Sequence, residues 1–409
     1  MKCRPASIVG NKSPNGVHAR SRSRSRGKGT VSAPKAGAKL GRQTSLTLWA
    51  KPAAAESEKS KNGKARDASR HEPKAPAISS IPRAPATPSA SSSRDAGPLW
   101  QHLTCSSLPQ DVLCRIQRDG FAVLQGVLSP EEADASLSLM WDFVERVSPA
   151  VKRNDAATWY TKDKLDPWPH AQRDMFQLHQ AGWVFGELRQ TLAQRVFEPL
   201  YGTNQLHSSK DGFCFQRPTR SPLKRRANDH FDQSGHEIGL HCIQASVALL
   251  DQENDDGCFM CFPGSHRHHA EFTAGAGKRD WYMLSDAQKA TLEKAGSKLL
   301  RVPVRRGDVV LWRSDLAHAG GSPIGIRSGF RAVVYICMMP ASLTPKEMYA
   351  KKREAYAKLE TGSHWPTKEC WFRPGLYSNK GFAPQPFFKS PPVFSDRLQE
   401  LYGLREYRP

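Results

Sequence analysis

The composition of this chain changes abruptly near residue 98, and the change limits where a folded domain can lie. Residues 1–98 are dominated by Lys, Arg, Ser, Ala, Pro and Gly, and Trp49 is their only aromatic residue. Such a segment buries too little apolar surface to offset the entropy lost when its backbone becomes ordered. We therefore predict a disordered basic tail over residues 1–98 and folded structure over residues 99–409.

The tail carries most of the positive charge of the chain. Residues 1–98 hold 20 Lys and Arg against 5 Asp and Glu, which gives +15 of the net charge of +21. A flexible polycation favours polyanions such as nucleic acid, through contacts that weaken with salt and do not depend on sequence. The tail is therefore predicted to bind nucleic acid, and a solvated tail without a partner is the alternative.

A short motif in the tail suggests a protein partner. In the stretch RQTSLTLWAK, Gln43, Leu46 and Trp49 recur every three residues, so a helical turn induced by a partner would place them on one side. The motif resembles the box that docks proteins onto the replication sliding clamp, except that Ala50 stands at the second aromatic position. A sliding clamp is a candidate partner, and an incidental apolar patch is the alternative.

The distribution of cysteines and the length of the apolar runs indicate the cellular compartment of the protein. Nine cysteines are scattered through a long chain, which is typical of a reducing intracellular environment. No stretch approaches the ~18–20 apolar residues of a membrane span, and the N-terminus lacks the apolar core of a secretory signal. We predict the nucleus or the cytoplasm, and an organelle stays open because no acidic residue precedes Glu56.

Short strands between polar turns dominate the folded part, and helices flank them. Strands are predicted at Phe121–Leu124, Phe213–Gln216, Cys242–Leu250, Cys258–Phe262, Leu300–Val304, Val309–Arg313 and Phe330–Met338. Helices are predicted over Leu108–Asp119, from the capping box Ser129–Glu132 to about Arg146, after Ser285–Gln288, and from Thr344–Glu347 to Gly362. The absence of βαβ alternation predicts a mainly β barrel or sandwich over residues 99–343, with residues 344–409 as a helix and irregular extension packed on it.

The stretch HFDQSGHEIGLH, residues 230–241, is dense in metal-binding side chains. His236 and His241 are five residues apart. On a helix they would lie about 140° out of line, so they do not form the zinc-protease motif. His230 and Asp232 project to the same side of an extended chain, about 6.5–7 Å apart at Cα. These two are the predicted metal pair.

A third ligand and an anion anchor follow further along the chain. His318 comes after a tight turn and an apolar strand, where the mouth of a barrel would lie; a surface loop histidine is the alternative. Two His and one carboxylate form the facial triad of non-haem Fe(II). Strand alternation places Arg331 in the interior, where a dicarboxylate cosubstrate would compensate its charge. Arg327, in the preceding loop, is the rival anchor, and an internal ion pair of Arg331 with an acidic side chain is the other alternative.

Two other groups of residues are predicted not to bind metal. Cys258 and Cys261 lie in an apolar strand without a second cysteine pair, which indicates buried thiols. His266, His268 and His269 follow the turn sequence PGSH and are predicted to be turn and surface residues.

Four segments of the chain resemble the phytanoyl-CoA dioxygenase family of Fe(II)- and 2-oxoglutarate-dependent oxygenases. They are DGFAVLQGVLSPEEA, HFDQSGHEIGLHCIQASVALLDQENDDGCFMCFPGSH, RRGDVVLWRSDLAHAGG and GFRAVVYI. The resemblance implies a double-stranded β-helix, a jelly-roll barrel of the cupin type, between about Leu108 and Met339. It implies Fe(II) held by His230, Asp232 and His318. It also implies 2-oxoglutarate bound by Arg331 and lined by Gln244, with O₂ as co-reactant and ascorbate supporting turnover.

The resemblance further implies a reaction. 2-Oxoglutarate would be decarboxylated to succinate while a C–H bond of a small-molecule or lipid substrate is hydroxylated. Related halogenases replace the metal carboxylate with a small residue, so Asp232 favours hydroxylation or oxidative demethylation. The basic tail and the extension that contains TGSHWPTKECWF depart from the minimal family domain, which leaves an acyl-CoA substrate in doubt. The alternatives are a nuclear oxygenase acting on nucleic acid or chromatin protein, and an inactive barrel acting as a DNA or sliding-clamp adaptor.

Overall fold

The computed structural model describes residues 97–160, 166–170, 174–177, 180–220, 228–371 and 384–408 of the protein. The predictions for the basic tail, including the clamp motif at Gln43, Leu46 and Trp49, lie outside these residues. No helix in the described part is both long enough and apolar enough to cross a bilayer.

The described residues form short strands and mostly short helices. The strands are β1 (Phe121–Leu124), β2 (Met175–Phe176), β3 (Leu206–Ser208), β4 (Phe213–Gln216), β5 (His230–Phe231), β6 (Ile243–Ala248), β7 (Phe259–Cys261), β8 (Tyr282–Met283), β9 (Leu300–Val302), β10 (Val309–Arg313), β11 (His318–Gly320), β12 (Arg331–Tyr335) and β13 (Met338–Pro340). The α-helices are α1 (Asp111–Arg118), α2 (Pro130–Val147), α3 (Gly186–Leu192), α4 (Glu198–Tyr201), α5 (His269–Phe272), α6 (Asp286–Lys294), α7 (Lys346–Lys358) and α8 (Asp396–Leu401).

Two antiparallel sheets make up the centre of the molecule. The larger has the order β1-β10-β6-β12-β4-β2 and the smaller has the order β8-β5-β11-β7-β9, while β3 pairs with β13. From β4 to β7, and again from β10 to β12, the chain passes from one sheet to the other at every step. This order is consistent with the predicted jelly-roll barrel, and the mainly β class with flanking helices is confirmed.

The two faces of the larger sheet meet different partners. Val310 and Trp312 of β10 pack with Phe259 of the smaller sheet, whereas Val309 and Leu311 belong to the apolar cluster that includes the helices. This alternation is the period of two that a strand buried on both faces shows. The barrel interior therefore lies between the sheets, and α1, α2 and α3 cover the outer face.

One long predicted strand is divided in two. The segment Phe330–Met338 forms β12 and the start of β13. At Cys337 the backbone exchanges hydrogen bonds with Ser209 instead of continuing the ladder: its N–H donates to Ser209 Oγ, and its carbonyl accepts from the Ser209 N–H. The tertiary contact therefore interrupts a sequence whose local pattern is one continuous strand.

The predicted capping box Thr344–Glu347 is wrong. The Thr344 side chain does not cap α7, because its Oγ1 lies 2.7 Å from Nδ1 of the buried His207. The helix also ends before Gly362, at Leu359 with a φ of 52°. The buried His207 ring needs a hydrogen-bond partner. The Thr344 hydroxyl provides it and therefore does not form the helix cap that the sequence spacing predicts.

The C-terminal residues contribute to the apolar cluster outside the barrel interior. Leu359, Trp365, Phe387, Leu398 and Tyr402 are all buried in the cluster that covers the outer face of the larger sheet. Helix α8 was not predicted, because its six residues are too few to display a helical period.

Candidate metal centre

The predicted metal pair, His230 and Asp232, lies beside His318 where strands β5 and β11 pair. His230 of β5 and His318 of β11 are direct cross-strand partners, so their side chains lie on one face of the sheet. Their ring centroids are 4.6 Å apart. Asp232 follows β5, and its two carboxylate oxygens each lie 3.4 Å from Nε2 of one histidine. The structure therefore brings His318 to the pair His230 and Asp232, although His318 follows Asp232 by 86 residues in the sequence.

Hydrogen bonds to the backbone fix which nitrogen of each ring is free. Nδ1 of His230 lies 2.6 Å from the carbonyl of Asn228, and Nδ1 of His318 lies 3.0 Å from the carbonyl of Leu316. A carbonyl can only accept, so Nδ1 carries a proton, and in the neutral ring Nε2 keeps its lone pair. Both lone pairs belong to nitrogens that lie beside the Asp232 carboxylate.

This donor set fits a divalent iron. One ligand atom from each of His230, Asp232 and His318 lies within 4.8 Å of the other two. Two imidazole nitrogens and one carboxylate oxygen form the facial triad that leaves three coordination positions open on Fe(II). Burial favours the neutral acid, but His230 and His364 hold the pKa of Asp232 well below its usual range. The carboxylate is thus ionised and ready to bind a cation.

Gln244 lies beside the metal carboxylate. It is on the inner face of β6, and its Nε2 donates to Oδ2 of Asp232 at 2.9 Å. Gln244 Oε1 and Trp312 Nε1 are buried, and neither has a hydrogen-bond partner among the described residues. Buried polar atoms seldom stay unpaired. Their presence next to the triad fits a site that receives a polar ligand.

Arg331 is a buried cation without a carboxylate partner in the described part of the chain. The residue is 7% exposed, and Nε donates to Oε1 of Gln252 at 3.1 Å. A Cβ at Gly257 would lie only 2.2 Å from Gln216 Oε1 and 3.0 Å from the Arg331 side chain, so glycine leaves room for both. An unpaired buried guanidinium is costly, and an anionic ligand would compensate it.

The rival anchor Arg327 is already paired. Its guanidinium lies 2.7 Å from Asp255 and 3.6 Å from Asp256. Arg327 is also about a third exposed, at 32%. The geometry therefore favours Arg331 over Arg327 for the carboxylate of a cosubstrate.

The other histidines and cysteines of the motif region do not join the triad. His236 and His241 lie outside any helix. Cys258 and Cys261 are buried free thiols. The surface assignment of His269 is wrong: it is 1% exposed, and its ring packs against Phe231 at 5.0 Å. It is a core residue, because the helical turn that follows PGSH points its ring inward.

Sequence reasoning missed several residues around the triad. The Trp281 ring lies 5.7 Å from the His230 ring, and Met283 is the cross-strand partner of His230. His364 Nε2 lies 3.2 Å from the carbonyl oxygen of Asp232. These residues have no metal-ligand spacing, and only the fold brings them to the site.

The sequence also matches a known protein family. The family described as phytanoyl-CoA dioxygenase (PhyH) matches residues 116–325, just over half of the 409 residues. The chain belongs to the phytanoyl-CoA dioxygenase family. It is a 2-oxoglutarate-dependent non-haem iron dioxygenase, and its cofactors are Fe(II) and 2-oxoglutarate. The predicted membership, enzyme class and cofactors are confirmed.

Relatives of this phytanoyl-CoA dioxygenase family member include proteins from Aspergillus versicolor and Bordetella bronchiseptica. Ava biosynthesis cluster protein O of Aspergillus versicolor is 22% identical over 260 residues, which cover 61% of this chain and 83% of that protein. The ectoine dioxygenase of Bordetella bronchiseptica is 28% identical over 186 residues, 44% of this chain and 56% of that protein.

Solved structures show a weaker similarity. EctD from S. alaskensis with bound Fe is 17% identical with a TM-score of 0.40, covering 60% of this chain and 84% of that one. HygX from Streptomyces hygroscopicus with nickel, 2-oxoglutarate and hygromycin B is 22% identical with a TM-score of 0.35, covering 57% and 88%.

Proposed function

We propose that this dioxygenase hydroxylates a C–H bond of a small-molecule or lipid substrate, with His230, Asp232 and His318 as the ligands of Fe(II). The observation that carries the proposal is the convergence of these three ligand atoms within 4.8 Å. When bound, Fe(II) and 2-oxoglutarate would supply O₂ activation, and 2-oxoglutarate would leave as succinate and CO₂. The intact Asp232 carboxylate favours hydroxylation over halogenation.

Different residues of the site bind the cosubstrate, orient the metal carboxylate and exclude water. Arg331, buried without a carboxylate partner among the described residues, binds the distal carboxylate of 2-oxoglutarate through charge-assisted hydrogen bonds. Gln244 orients Asp232 through its amide and lines the cosubstrate pocket. The rings of Phe259 and Trp312 lie 5.8 and 5.3 Å from the His318 ring. They exclude water from that side of the site.

A small-molecule substrate is the favoured class. Ectoine dioxygenase is named for a small molecule. No observation among the described residues favours a nuclear oxygenase, and the tail residues that suggested one lie outside the described part. The complete triad and the buried Arg331 argue against an inactive barrel that serves as an adaptor.

Anaerobic titration with Fe(II) and 2-oxoglutarate tests the proposal. The wild type should develop a visible metal-to-ligand charge-transfer band and form succinate when O₂ is admitted. Asp232→Ala and His318→Ala should lose both, whereas His268→Ala, in a turn away from the triad, should keep both. A wild-type protein without band or succinate would support the adaptor instead.

A further inference from the structure

A loop of the C-terminal extension is rooted in the core and reaches the metal centre. We call residues 361–371 the C-terminal loop; it lies beyond residues 116–325, the part that matches the family. Gly362 and Trp371 pair at its base, and the Gly362 N–H donates to the carbonyl of Lys210 at 2.8 Å. A Cβ at Gly362 would lie 2.1 Å from Glu369 Oε1, so the base closes tightly only with glycine.

Glu369 fixes the loop from within. Its carboxylate lies 2.6 Å from Nζ of Lys210, and both side chains are fully buried. The Lys210 backbone N–H also donates to this carboxylate at 3.1 Å. The buried ion pair and the extra hydrogen bond together fix the position of Glu369 against Lys210. The C-terminal loop is therefore held in place at its base.

The middle of the C-terminal loop, residues 364–368, which we call its tip, contacts the backbone of Asp232. Asp232 is the one triad residue outside a strand, so no ladder holds its backbone. Its N–H donates to the carbonyl of Ser314 at 3.1 Å. Its carbonyl faces His364 Nε2 at 3.2 Å. Since a carbonyl can only accept, His364 Nε2 carries a proton and is a donor here rather than a metal ligand.

Lys368, at the tip, forms ion pairs with two segments that flank the triad. Nζ lies 2.5 Å from Glu237 Oε1 and 3.2 Å from Asp280 Oδ1, and 3.7 Å over the Trp365 ring. Glu237 belongs to the loop that follows Asp232, and Asp280 precedes Trp281, whose ring packs beside His230. One ammonium thus joins the C-terminal loop to both sides of the metal pair.

We propose that the C-terminal loop is part of the metal centre, and that His364 and Lys368 are positioning residues that hold Asp232 in place and raise the affinity for the divalent metal. The inference rests on the proposed assignment of the triad. Partners outside the coordination sphere that orient metal ligands commonly contribute about 10- to 100-fold to metal affinity. In this chain the partner comes from outside the family-matched residues.

Binding of Mn(II) alone to the full-length protein, measured by calorimetry, tests the inference. His364→Phe keeps a ring but removes the donor, and should weaken Mn(II) binding about 10-fold. His364→Asn keeps an N–H and should retain most of the affinity. Lys368→Met should weaken binding in the same direction but less, because it loosens the tip without removing the donor.

Matched controls separate positioning from general stability. His268→Phe and Lys358→Met alter a histidine and a lysine away from the triad, and should leave Mn(II) affinity unchanged. The melting temperature of each metal-free variant shows whether it folds, and Lys368→Met, at a partly exposed side chain, carries the test if His364→Phe does not. An affinity loss without a matching loss of melting temperature supports positioning.

The outcomes separate the role of the loop from the assignment of the triad. If Asp232→Ala loses Mn(II) while His364→Phe and Lys368→Met bind within twofold of wild type, the role of the loop is overturned and the triad stands. If Asp232→Ala binds Mn(II) as tightly as wild type, the metal assignment itself fails, and the inference fails with it.

Discussion

At the scale of single residues, the chemistry of the site depends on buried polar groups whose partners are incomplete. Gln244 and Trp312 each keep one buried polar atom unpaired in the described structure, and Arg331 has an amide but no carboxylate beside it. Such groups cost stability when left unpaired and gain from a ligand that completes them. A strong response of ligand binding to substitution at these positions is therefore expected.

Arg331→Gln should weaken 2-oxoglutarate binding by at least about 30-fold, because losing one partner of a buried charged pair costs ~2 kcal/mol or more. Arg327→Gln is the matched control and should change the affinity little, since Arg327 is paired with Asp255. Anaerobic titration of the charge-transfer band gives the dissociation constant of each variant. A larger loss in Arg327→Gln would reverse the assignment of the anchor.

Asp211 should make stability depend on pH. Burial raises its pKa from 3.8 to about 7, although Arg189 opposes the shift. The folded protein therefore keeps a proton that the unfolded chain releases, and this contribution is full below pH 3.8 and lost as pH rises through about 7. Asp211→Asn cannot titrate, so wild type should lose stability relative to it across this interval. Urea unfolding of metal-free protein at several pH values measures the difference; parallel curves would contradict the prediction.

At the scale of elements, local sequence patterns predict helix ends and strand bounds correctly where no tertiary partner binds the same side chain or backbone group. The capping boxes of α2 and α6 form as predicted, and β1, β4 and β10 have the predicted bounds. Thr344 has the same spacing but serves His207 instead. The predicted strand over Phe330–Met338 is divided for a similar reason, since Ser209 takes the backbone groups of Cys337.

Ser129→Ala should destabilise the protein by ~1 kcal/mol, because it removes the side chain that caps the first turn of α2. The Ser129 hydroxyl accepts from the Glu132 N–H at 3.3 Å, and the Glu132 carboxylate accepts from the Ser129 N–H at 2.9 Å. Ser136→Ala, inside the same helix, is the control and should be neutral or slightly stabilising. Urea unfolding compares the two, and equal effects would mean that the cap contributes nothing.

At the scale of the whole molecule, the C-terminal extension is continuous with the core and with the site. Lys210, Lys352 and Glu369 are fully buried together. Burial and the neighbouring Lys210 hold the pKa of Lys352 well below its usual range. Its Nζ donates to the carbonyl of Pro366 at 2.6 Å, while Lys210 pairs with Glu369. The extension is thus tied to the barrel by a buried ion pair and a buried hydrogen bond.

Glu369→Gln should cost ~3–5 kcal/mol, because it leaves the Lys210 charge buried without its partner. Glu354→Gln removes the carboxylate of an exposed pair with Lys358 on α7 and should change little. Chemical denaturation measures both. If Glu369→Gln were as stable as Glu354→Gln, the buried pair would not anchor the extension.

Deletion of residues 1–96 should leave substrate-free turnover of 2-oxoglutarate intact, because the triad and Arg331 lie wholly in the described part. The same deletion should weaken salt-dependent DNA binding, since the tail holds most of the excess positive charge. Succinate formation and DNA affinity at two salt concentrations test the two statements. Loss of turnover would mean that the predicted boundary at residue 98 is misplaced.

The sequence by itself determined the β-rich class and predicted His230, Asp232 and His318 as the metal ligands, but it left Arg331 and Arg327 as rival anchors. Period-two alternation, residue chemistry and the family resemblance are encoded over short stretches or as recognisable segments. Only the tertiary structure decided which atoms meet: the cross-strand register that sets His230 against His318, the contact of Gln244 with Asp232, and the approach of His364 and Lys368. These contacts join residues far apart in the chain, and their geometry follows from strand order and loop packing, which no local pattern specifies.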